Sequence, residues 1–452
     1  MIVTAEKAQL GELLVEGQTI ASIRYYEEGQ SQTAAGQDGA DLPADVEVID
    51  LDGLCLMAGG IDAHVHFRDP GMTHKADMAT ESRAALLGGI TSFMDMPNTN
   101  PATTTWEHLE EKLEDASKKA AINYGFHFGA TNKNADQINE LISEGKGRQF
   151  GAVKVFMGSS TGNMLVDDRN ALDRLFSIHD KCVFIHSEDE NTIRTNLAAA
   201  KEKFGENIPF EMHPQIRSRQ ACVLSTIKAL ETAMKCGTRL HVCHVSTSEE
   251  VQMIRAAKMY NPDITAETSS NYLWFCDEDY ATMGSAVKCN PAIKSAKDRE
   301  ALIQGIKEGI IDTLGSDHAP HLQEEKARPY LTCPSGLPSI GQSFPALLTV
   351  AAKNGIELTR VAALLSENIA KILGISRRGK LVAGNYADLV AFDPKETYTL
   401  THDEIAYKCG WSPYEGKEFT GRVKRVWVNG ELAVKDGQIL GEPHGMALEF
   451  NN

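Results

Sequence analysis

The stretch LCLMAGGIDAHVHFR, residues 54–68, joins a long apolar run to two histidines. Such a run is typical of a buried strand, and the residues after it would lie where that strand meets solvent. Residues two apart in a strand point to the same face, so His64 and His66 would direct two imidazoles at one point. This arrangement can bind a metal ion. Two ordinary histidines on a loop would give the same short pattern, so other parts of the chain must decide between the two interpretations.

Short apolar runs alternate with longer amphipathic segments between residues 54 and 317. The segments carry apolar residues at i, i+3 and i+4, as surface helices do. Eight strands that alternate with helices predict a (β/α)8 TIM barrel, an α/β fold, over residues 54–379. The eight runs are Leu54–His66, Thr91–Met96, Ile122–Phe128, Gly151–Phe156, Cys182–His186, Leu240–Val245, Ile264–Glu267 and Ile310–Gly315.

The two ends of the chain differ from this middle part. Residues 1–53 and 380–452 are rich in β-branched residues, glycine and turn signals, such as Asn429-Gly430 between two apolar runs. Neither end could bury a sheet face alone, and the termini of one domain often lie close together. We therefore predict that both ends form one small β-sandwich domain beside the barrel.

Charge and hydropathy argue against several classes of partner. The 452 residues carry a formal net charge of -17, and nucleic acid or an anionic membrane would repel such a chain. No stretch approaches the roughly 18 uninterrupted apolar residues of a membrane span, and the first residues do not resemble a signal peptide. We expect a cytoplasmic protein, and an anionic small substrate only where basic residues receive it locally.

Nine cysteines are scattered singly along the chain. An odd number of isolated cysteines does not make a disulfide framework, so reduced thiols are expected. Cys243 adjoins the candidate metal ligand His244. Because alternate residues of a strand face opposite sides, Cys243 is predicted to point away from His244 and is not counted as a ligand.

Side chains of metal-binding type follow several predicted strands. In a barrel, functional groups stand at the carboxyl ends of the strands. His64 and His66 end the first strand, His186 ends the fifth, His244 ends the sixth and Asp317 follows the eighth. A single histidine at a strand end is usually an ordinary polar residue. Four histidines and an aspartate at four strand ends favour a metal site.

Lys154 lies within the apolar fourth strand, where an ammonium group is costly to bury. The side chain could reach the barrel rim or pair with a carboxylate. Alternatively, burial could keep the amine neutral, so that it reacts with carbon dioxide. The resulting carbamate would offer two oxygens to a pair of metal ions.

Two motifs resemble the signatures of dihydroorotases, within the amidohydrolase superfamily. The first is DAHVHFRDPG, residues 62–71, and the second is GSDHAPHLQEEK, residues 315–326. The resemblance covers nearly the whole chain. Further segments in the family's order are Met96–Thr99, His186–Asp189, His244–Thr247, Asn290-Pro291 and the terminal Gly384–Val390.

This resemblance implies a binuclear zinc site. A hydroxide between the two ions would attack a ring amide carbonyl, with Asp317 as general base and then general acid. The implied ligands are His64, His66 and Asp317 on one Zn²⁺, His186 and His244 on the other, and carboxylated Lys154, a carbamate, as the bridge.

The resemblance also implies a reaction, the reversible interconversion of N-carbamoyl-L-aspartate and L-dihydroorotate in pyrimidine biosynthesis. An arginine suits a planar carboxylate, so an acidic protein can still bind this small anionic substrate. The implied substrate-binding residues are Arg68, Asn98 and Asn290 at the carboxylate, His321 over the ring, and Pro334 and Gly336 in a loop against the ring.

Two alternatives remain open at this point. Allantoinases and dihydropyrimidinases (hydantoinases) would share the fold and the metals, and Tyr272-Leu273 resembles those enzymes, whereas Arg68 and His321 favour dihydroorotase. An inactive dihydroorotase-like scaffold would have lost metal ligands, and this chain retains all of them. Symmetry frequencies favour a homodimer.

Overall fold

The computed structural model describes residues 1–27, 46–158 and 164–451. It contains a barrel of parallel strands surrounded by helices and a β-rich part built from both ends of the chain. The predicted fold class is confirmed. The predicted segments 1–53, 54–379 and 380–452 include residues 28–45, 159–163 and 452, which lie outside the described residues.

Eight barrel strands run parallel to one another within the described ranges. Each strand ends within three residues of its predicted end. The apolar runs indicate the strands well because strands of a parallel barrel are buried on both faces. Phe128–Gly129 continues the third strand after a break at His127 and pairs with the fourth. The strands are Gly60–Val65, Ile90–Asp95, Asn123–Phe126, Ala152–Phe156, Cys182–His186, Leu240–Val242, Thr265–Ser269 and Thr313–Gly315.

The barrel closes between the first and eighth strands through the residues that follow them. Val65 and His318 form a parallel bridge, and the His66 N–H donates to the His318 carbonyl at 2.8 Å. The Asp62 carboxylate accepts the Ser316 N–H at 3.2 Å. These bonds hold the two sequence motifs side by side at the carboxyl end of the barrel.

Helices cover the outside of the barrel. The Thr247 hydroxyl accepts the Glu250 N–H, and the Glu250 carboxylate accepts the Thr247 N–H, so a capping box begins a helix three residues after His244. No described helix is long and apolar enough to cross a membrane. The helices are Met78–Leu87, Trp106–Lys119, Ala135–Ser143, Arg169–Phe176, Glu190–Phe204, His213–Ile216, Arg219–Cys236, Ser248–Lys258, Ser270–Trp274, Tyr280–Met283, Ala296–Lys307, Gln323–Lys326, Ile340–Asn354, Leu358–Ala362 and Asn368–Leu373.

Strands from both ends of the chain share one seven-stranded sheet. A two-stranded hairpin, Gly11–Glu16 and Thr19–Tyr25, packs against it through a common apolar cluster that includes Ile20 and Trp427. The order in the sheet is Gln438–Ile439, Glu431–Lys435, Glu418–Val428, Leu389–Thr399, Cys55–Ala58, Ile2–Val3 and Ala8–Gln9.

The predicted strand Leu54–His66 is in fact two strands. Cys55–Ala58 belongs to the terminal sheet, and Gly60–Val65 is the first barrel strand. The chain passes from one to the other at Gly59, where a Cβ atom would lie 2.2 Å from the Thr91 hydroxyl oxygen. The division of the chain into domains at residues 53/54 and 379/380 stays a prediction, since strand pairing does not define units that fold independently.

Candidate metal centre and active site

Two histidines of the first strand meet the aspartate that follows the eighth. The Nε2 atoms of His64 and His66 lie 3.5 Å and 3.3 Å from Asp317 Oδ1. Their other ring nitrogens are occupied, because His64 Nδ1 lies 2.6 Å from Glu267 Oε1 and His66 Nδ1 lies 2.8 Å from Asn98 Oδ1. Both side-chain oxygens accept hydrogen bonds, so each Nδ1 carries a proton and each Nε2 faces Asp317.

The histidines of the fifth and sixth strands form a second cluster. His186 Nδ1 lies 3.0 Å from His244 Nε2, while His186 Nε2 contacts Glu188 Oε2 at 2.8 Å. Arg217 Nε donates to the same Glu188 oxygen at 3.0 Å. Nδ1 of His244 is buried and has no hydrogen-bond partner in the described part of the chain. The His64 and His244 ring centroids are 5.0 Å apart, so the two clusters adjoin.

Lys154 is fully buried between these clusters and the barrel interior. Its Nζ lies 3.1 Å from Cys243 Sγ and 5.3 Å from the centroid of the Phe156 ring. Among the described residues it pairs with no carboxylate, and its burial shows that it does not reach the barrel rim. The carbamate that the sequence suggested at this lysine stays a prediction.

The prediction that Cys243 and His244 face opposite sides is wrong. Cys243 Sγ lies within 4.8 Å of ligand atoms of His64 and Glu267, on the same side as His244. The sixth strand ends at Val242, and His244 has a backbone φ of 38°. Strand alternation therefore does not extend to these two residues.

The donor set of this centre fits divalent metal ions. Ligand atoms of His64, His66 and Asp317 all lie within 4.8 Å of one another. Imidazole nitrogens and carboxylate oxygens suit zinc and related ions. Hydrogen bonds from the far side of a ligating histidine fix its orientation, and Glu267, Asn98 and Glu188 supply them here.

Asp317 is ionised at neutral pH. Burial acts to raise the pKa of its carboxyl group, but the contact with His66 and the positive charge of His64 outweigh burial and hold the pKa below its usual value. An ionised carboxylate beside candidate metal ligands can bind a metal and can also accept a proton.

A buried arginine stands next to the histidine cluster. The Arg68 guanidinium donates from Nε to the Pro320 carbonyl at 3.3 Å, and its Nη2 lies 3.1 Å from His321 Nε2. Burial lowers the pKa of Arg68 to about 10, so the group stays charged at neutral pH. It has no carboxylate partner among the described residues. A buried cation that no carboxylate contacts directly is costly, which indicates a place for an anionic ligand.

The loop of Pro334 and Gly336, which is predicted to lie against the substrate ring, is held in place by a second buried cation, Lys326. Lys326 Nζ donates to the carbonyls of Pro334 at 3.1 Å and Gly336 at 3.0 Å, and to that of Lys288 at 3.2 Å. Gly336 has a φ of 142°, and a Cβ atom there would lie 2.3 Å from the Ala319 carbonyl oxygen, so only glycine fits. The bond to Lys288 brings the loop to the segment that carries Asn290.

The structure thus brings all the predicted site residues to one end of the barrel, with some differences in detail. Asn290 Oδ1 is buried without a partner in the described part of the chain and is free to meet a ligand. Asn98 contacts His66, so its predicted contact with a substrate carboxylate stays a prediction.

Sequence reasoning missed several residues that support this centre. Glu267 ends a predicted strand, and Glu188 lies two residues after His186, so both carried a usable signal. Lys326 is the last residue of the second motif. Arg217 lies in a segment without a recognisable pattern, and only the fold brings it to Glu188.

The sequence profile of the Amidohydrolase family matches residues 55–433. The chain belongs to this family. A dihydroorotase of Methanosarcina acetivorans is 34% identical over 423 residues, which cover 90% of this chain and 88% of the relative. An allantoinase of Streptomyces avermitilis is 32% identical over 421 residues, which cover 92% of both chains.

Among solved structures, an L-hydantoinase (dihydropyrimidinase) from Arthrobacter aurescens superimposes on this amidohydrolase with a TM-score of 0.90 and 25% identity. The match covers 99% of this chain and 98% of that one. The family match and the relatives named dihydroorotase show that the chain is a cyclic amide hydrolase.

Replacement of the carboxylate behind His64 is expected to weaken metal binding. Glu267→Gln keeps the side-chain shape but removes the charge that orients His64, and loss of such a partner lowers metal affinity about 10- to 100-fold. Competition of the full-length protein with a chromogenic zinc chelator measures this change. Glu250→Gln is the matched control, since Glu250 is equally buried but caps a helix. Parental affinity in Glu267→Gln, or an equal loss in Glu250→Gln, would contradict the assignment.

Proposed function

We propose that this chain is a zinc-dependent dihydroorotase, which interconverts N-carbamoyl-L-aspartate and L-dihydroorotate in pyrimidine biosynthesis. Arg68 carries the proposal, because it is a buried guanidinium without a carboxylate partner among the described residues. Dihydroorotate combines a cyclic amide with a carboxylate, whereas allantoin and hydantoin carry no carboxylate. We place the enzyme in the cytoplasm, as expected from the lack of a signal-like or membrane-length apolar run in the given sequence, and as a homodimer, in keeping with symmetry frequencies.

The proposal includes two zinc ions at the adjoining clusters. When bound, the ions would polarise the amide carbonyl and lower the pKa of water. The buried Lys154, which lacks an ion pair among the described residues, supports a carbamate bridge between them. The ligands would be His64, His66 and Asp317 for one ion and His186 and His244 for the other.

The protein's own groups would bind the substrate and transfer the proton. Arg68, Asn98 and Asn290 would hold the carboxylate, with His321 over the ring and the loop of Pro334 and Gly336 against it. The Asp317 carboxylate would accept a proton from the attacking water and give it to the ring nitrogen as the amide bond breaks. Ring closure follows the same path in reverse.

A substrate panel tests this proposal. We expect the purified protein to hydrolyse dihydroorotate and to close carbamoyl-aspartate, with much lower kcat/KM for allantoin, hydantoin and dihydrouracil. Allantoinase is the second candidate, favoured by relatives of similar identity that carry that name. A preference for allantoin would establish it instead. No turnover of any of these compounds by fully metal-loaded protein would indicate an inactive scaffold.

Arg68→Met should impair turnover of the charged substrate selectively. Loss of a buried charge partner is expected to lower kcat/KM for dihydroorotate about 100- to 1,000-fold, mainly through KM. Steady-state kinetics measure the effect, and Arg68→Lys should restore it only in part, because lysine cannot bind a carboxylate bidentately. Equal losses on dihydroorotate and on an uncharged ring would show that Arg68 does not recognise the carboxylate.

Asp317→Ala should abolish turnover and leave most of the metal bound, since the histidines and the bridging lysine remain. Removal of a general acid–base group typically lowers the rate by a factor of about 10² to 10⁴. Assays of kcat together with metal analysis of the same sample separate the two effects. Substantial residual activity would rule out Asp317 as the proton carrier, and loss of both metals would show that its main role is structural.

A further inference from the structure

Lys75 lies at the edge of the site, next to His321. Its Nζ is 2.8 Å from Glu325 Oε1 and 3.2 Å from His321 Nδ1. The side chain is 12% exposed. It belongs to neither histidine cluster and is not one of the predicted substrate contacts.

The hydrogen bonds around His321 determine which ring nitrogen carries its proton. The Lys75 ammonium faces Nδ1 and the Arg68 guanidinium faces Nε2, and both groups have only donors, so the position of the proton depends on which ring nitrogen also has an acceptor within reach. Glu325 Oε2 lies 3.7 Å from Nδ1, beyond hydrogen-bond reach, and already accepts the Leu322 N–H at 3.0 Å. The proton of a neutral ring must therefore lie on Nε2, from which it is donated to the Ser335 carbonyl at 3.1 Å.

The surroundings also keep this ring neutral. Burial, reinforced by the positive charges of Arg68, Lys75 and Lys326, lowers the pKa of His321 far below its usual value. A neutral ring with its proton on Nε2 has a single acceptor, and that acceptor faces Lys75.

This tautomer has a consequence for Arg68. Arg68 Nη2 lies 3.1 Å from His321 Nε2, and two N–H groups that face each other cannot form a hydrogen bond. Among the described residues, Arg68 keeps only the Pro320 carbonyl as an acceptor. If the proton lay on Nδ1 instead, Nε2 would accept a hydrogen bond from Arg68 Nη2. That edge of the guanidinium would then no longer be available to a ligand.

We propose that Lys75 is a positioning residue: it fixes the proton of His321 on Nε2, where it is donated to Ser335, so that Nε2 does not accept from Arg68 and the guanidinium keeps its donors for an anionic group of the substrate. The identity of that group as the dihydroorotate carboxylate rests on the proposed function. The tautomer does not depend on it, because every bond that determines it lies within the protein.

The tautomer can be measured without substrate. In full-length, metal-loaded protein labelled with ¹⁵N-histidine, the signals of His321 are identified by their absence in His321→Asn. We expect a protonated Nε2 and an unprotonated Nδ1 in the parent protein and in Lys75→Arg. In Lys75→Met we expect a shift of population towards protonated Nδ1. A proton on Nδ1 in the parent, or an unchanged tautomer in Lys75→Met, would overturn the proposal.

Kinetics provide the functional test. Lys75→Met should raise KM for dihydroorotate about 10- to 100-fold, the effect expected for hydrogen bonds to a charged group, with kcat and metal content nearly unchanged. Lys75→Arg should recover most of the loss. Lys118→Met removes the same charge from an exposed helix position and is the matched control.

A parental KM in Lys75→Met, or an equal rise in Lys118→Met, would overturn the role of Lys75 in binding. If the parent protein did not turn over dihydroorotate at all, the proposed function would fail. The NMR measurement would still decide the position of the His321 proton in that case, so the two failures are distinguishable.

Discussion

The closure of the barrel between its first and eighth strands determines the geometry of the whole site. His66 donates its backbone N–H to the His318 carbonyl, and Asp62 accepts the Ser316 N–H. These bonds align two segments that are far apart in the sequence. Asp317 consequently lies within 3.5 Å of the imidazoles of both first-strand histidines. The proposed metal binding and the proposed proton transfer by Asp317 both depend on this alignment.

Positive side chains gather around His321, although the molecule as a whole is acidic. The chain has a net charge of -17, yet Arg68, Lys75 and Lys326 all lie close enough to His321 to lower its pKa, and only Lys75 of the three pairs with a described carboxylate, that of Glu325. Arg68 and Lys326 have carbonyl partners but no carboxylate partner among the described residues. A local cluster of buried cations concentrates positive potential where solvent cannot screen it. An acidic protein can therefore select an anionic substrate.

Much of the fold and the site could be predicted from short-range patterns. Alternating apolar and amphipathic segments predicted the barrel, and the positions of His186 and His244 at strand ends predicted their convergence. The division of the run Leu54–His66 into two strands could not be predicted, because its apolar character is continuous across Gly59. The orientation of Cys243 could not be predicted either. The sixth strand ends at Val242, the residue before Cys243, so strand alternation no longer applies there.

The supporting contacts depended on the fold itself. The pairs Glu267–His64, Arg217–Glu188 and Lys75–His321 join residues from different strands and loops, and no local pattern indicates which residue contacts which. These contacts supply hydrogen bonds to side chains, such as His64 and His321, that the sequence did identify as functional. A sequence can thus indicate which side chains react, while the structure shows what orients them.

Lys154 provides the most direct test of the two-metal account, because its role depends on a reaction with carbon dioxide. The measurement is a zinc titration of the apoprotein, with bicarbonate and in buffer depleted of carbon dioxide. The account predicts two equivalents of tightly bound zinc per chain with bicarbonate and loss of tight binding at one or both positions without it. Equal stoichiometry and affinity in the two buffers would contradict the carbamate bridge.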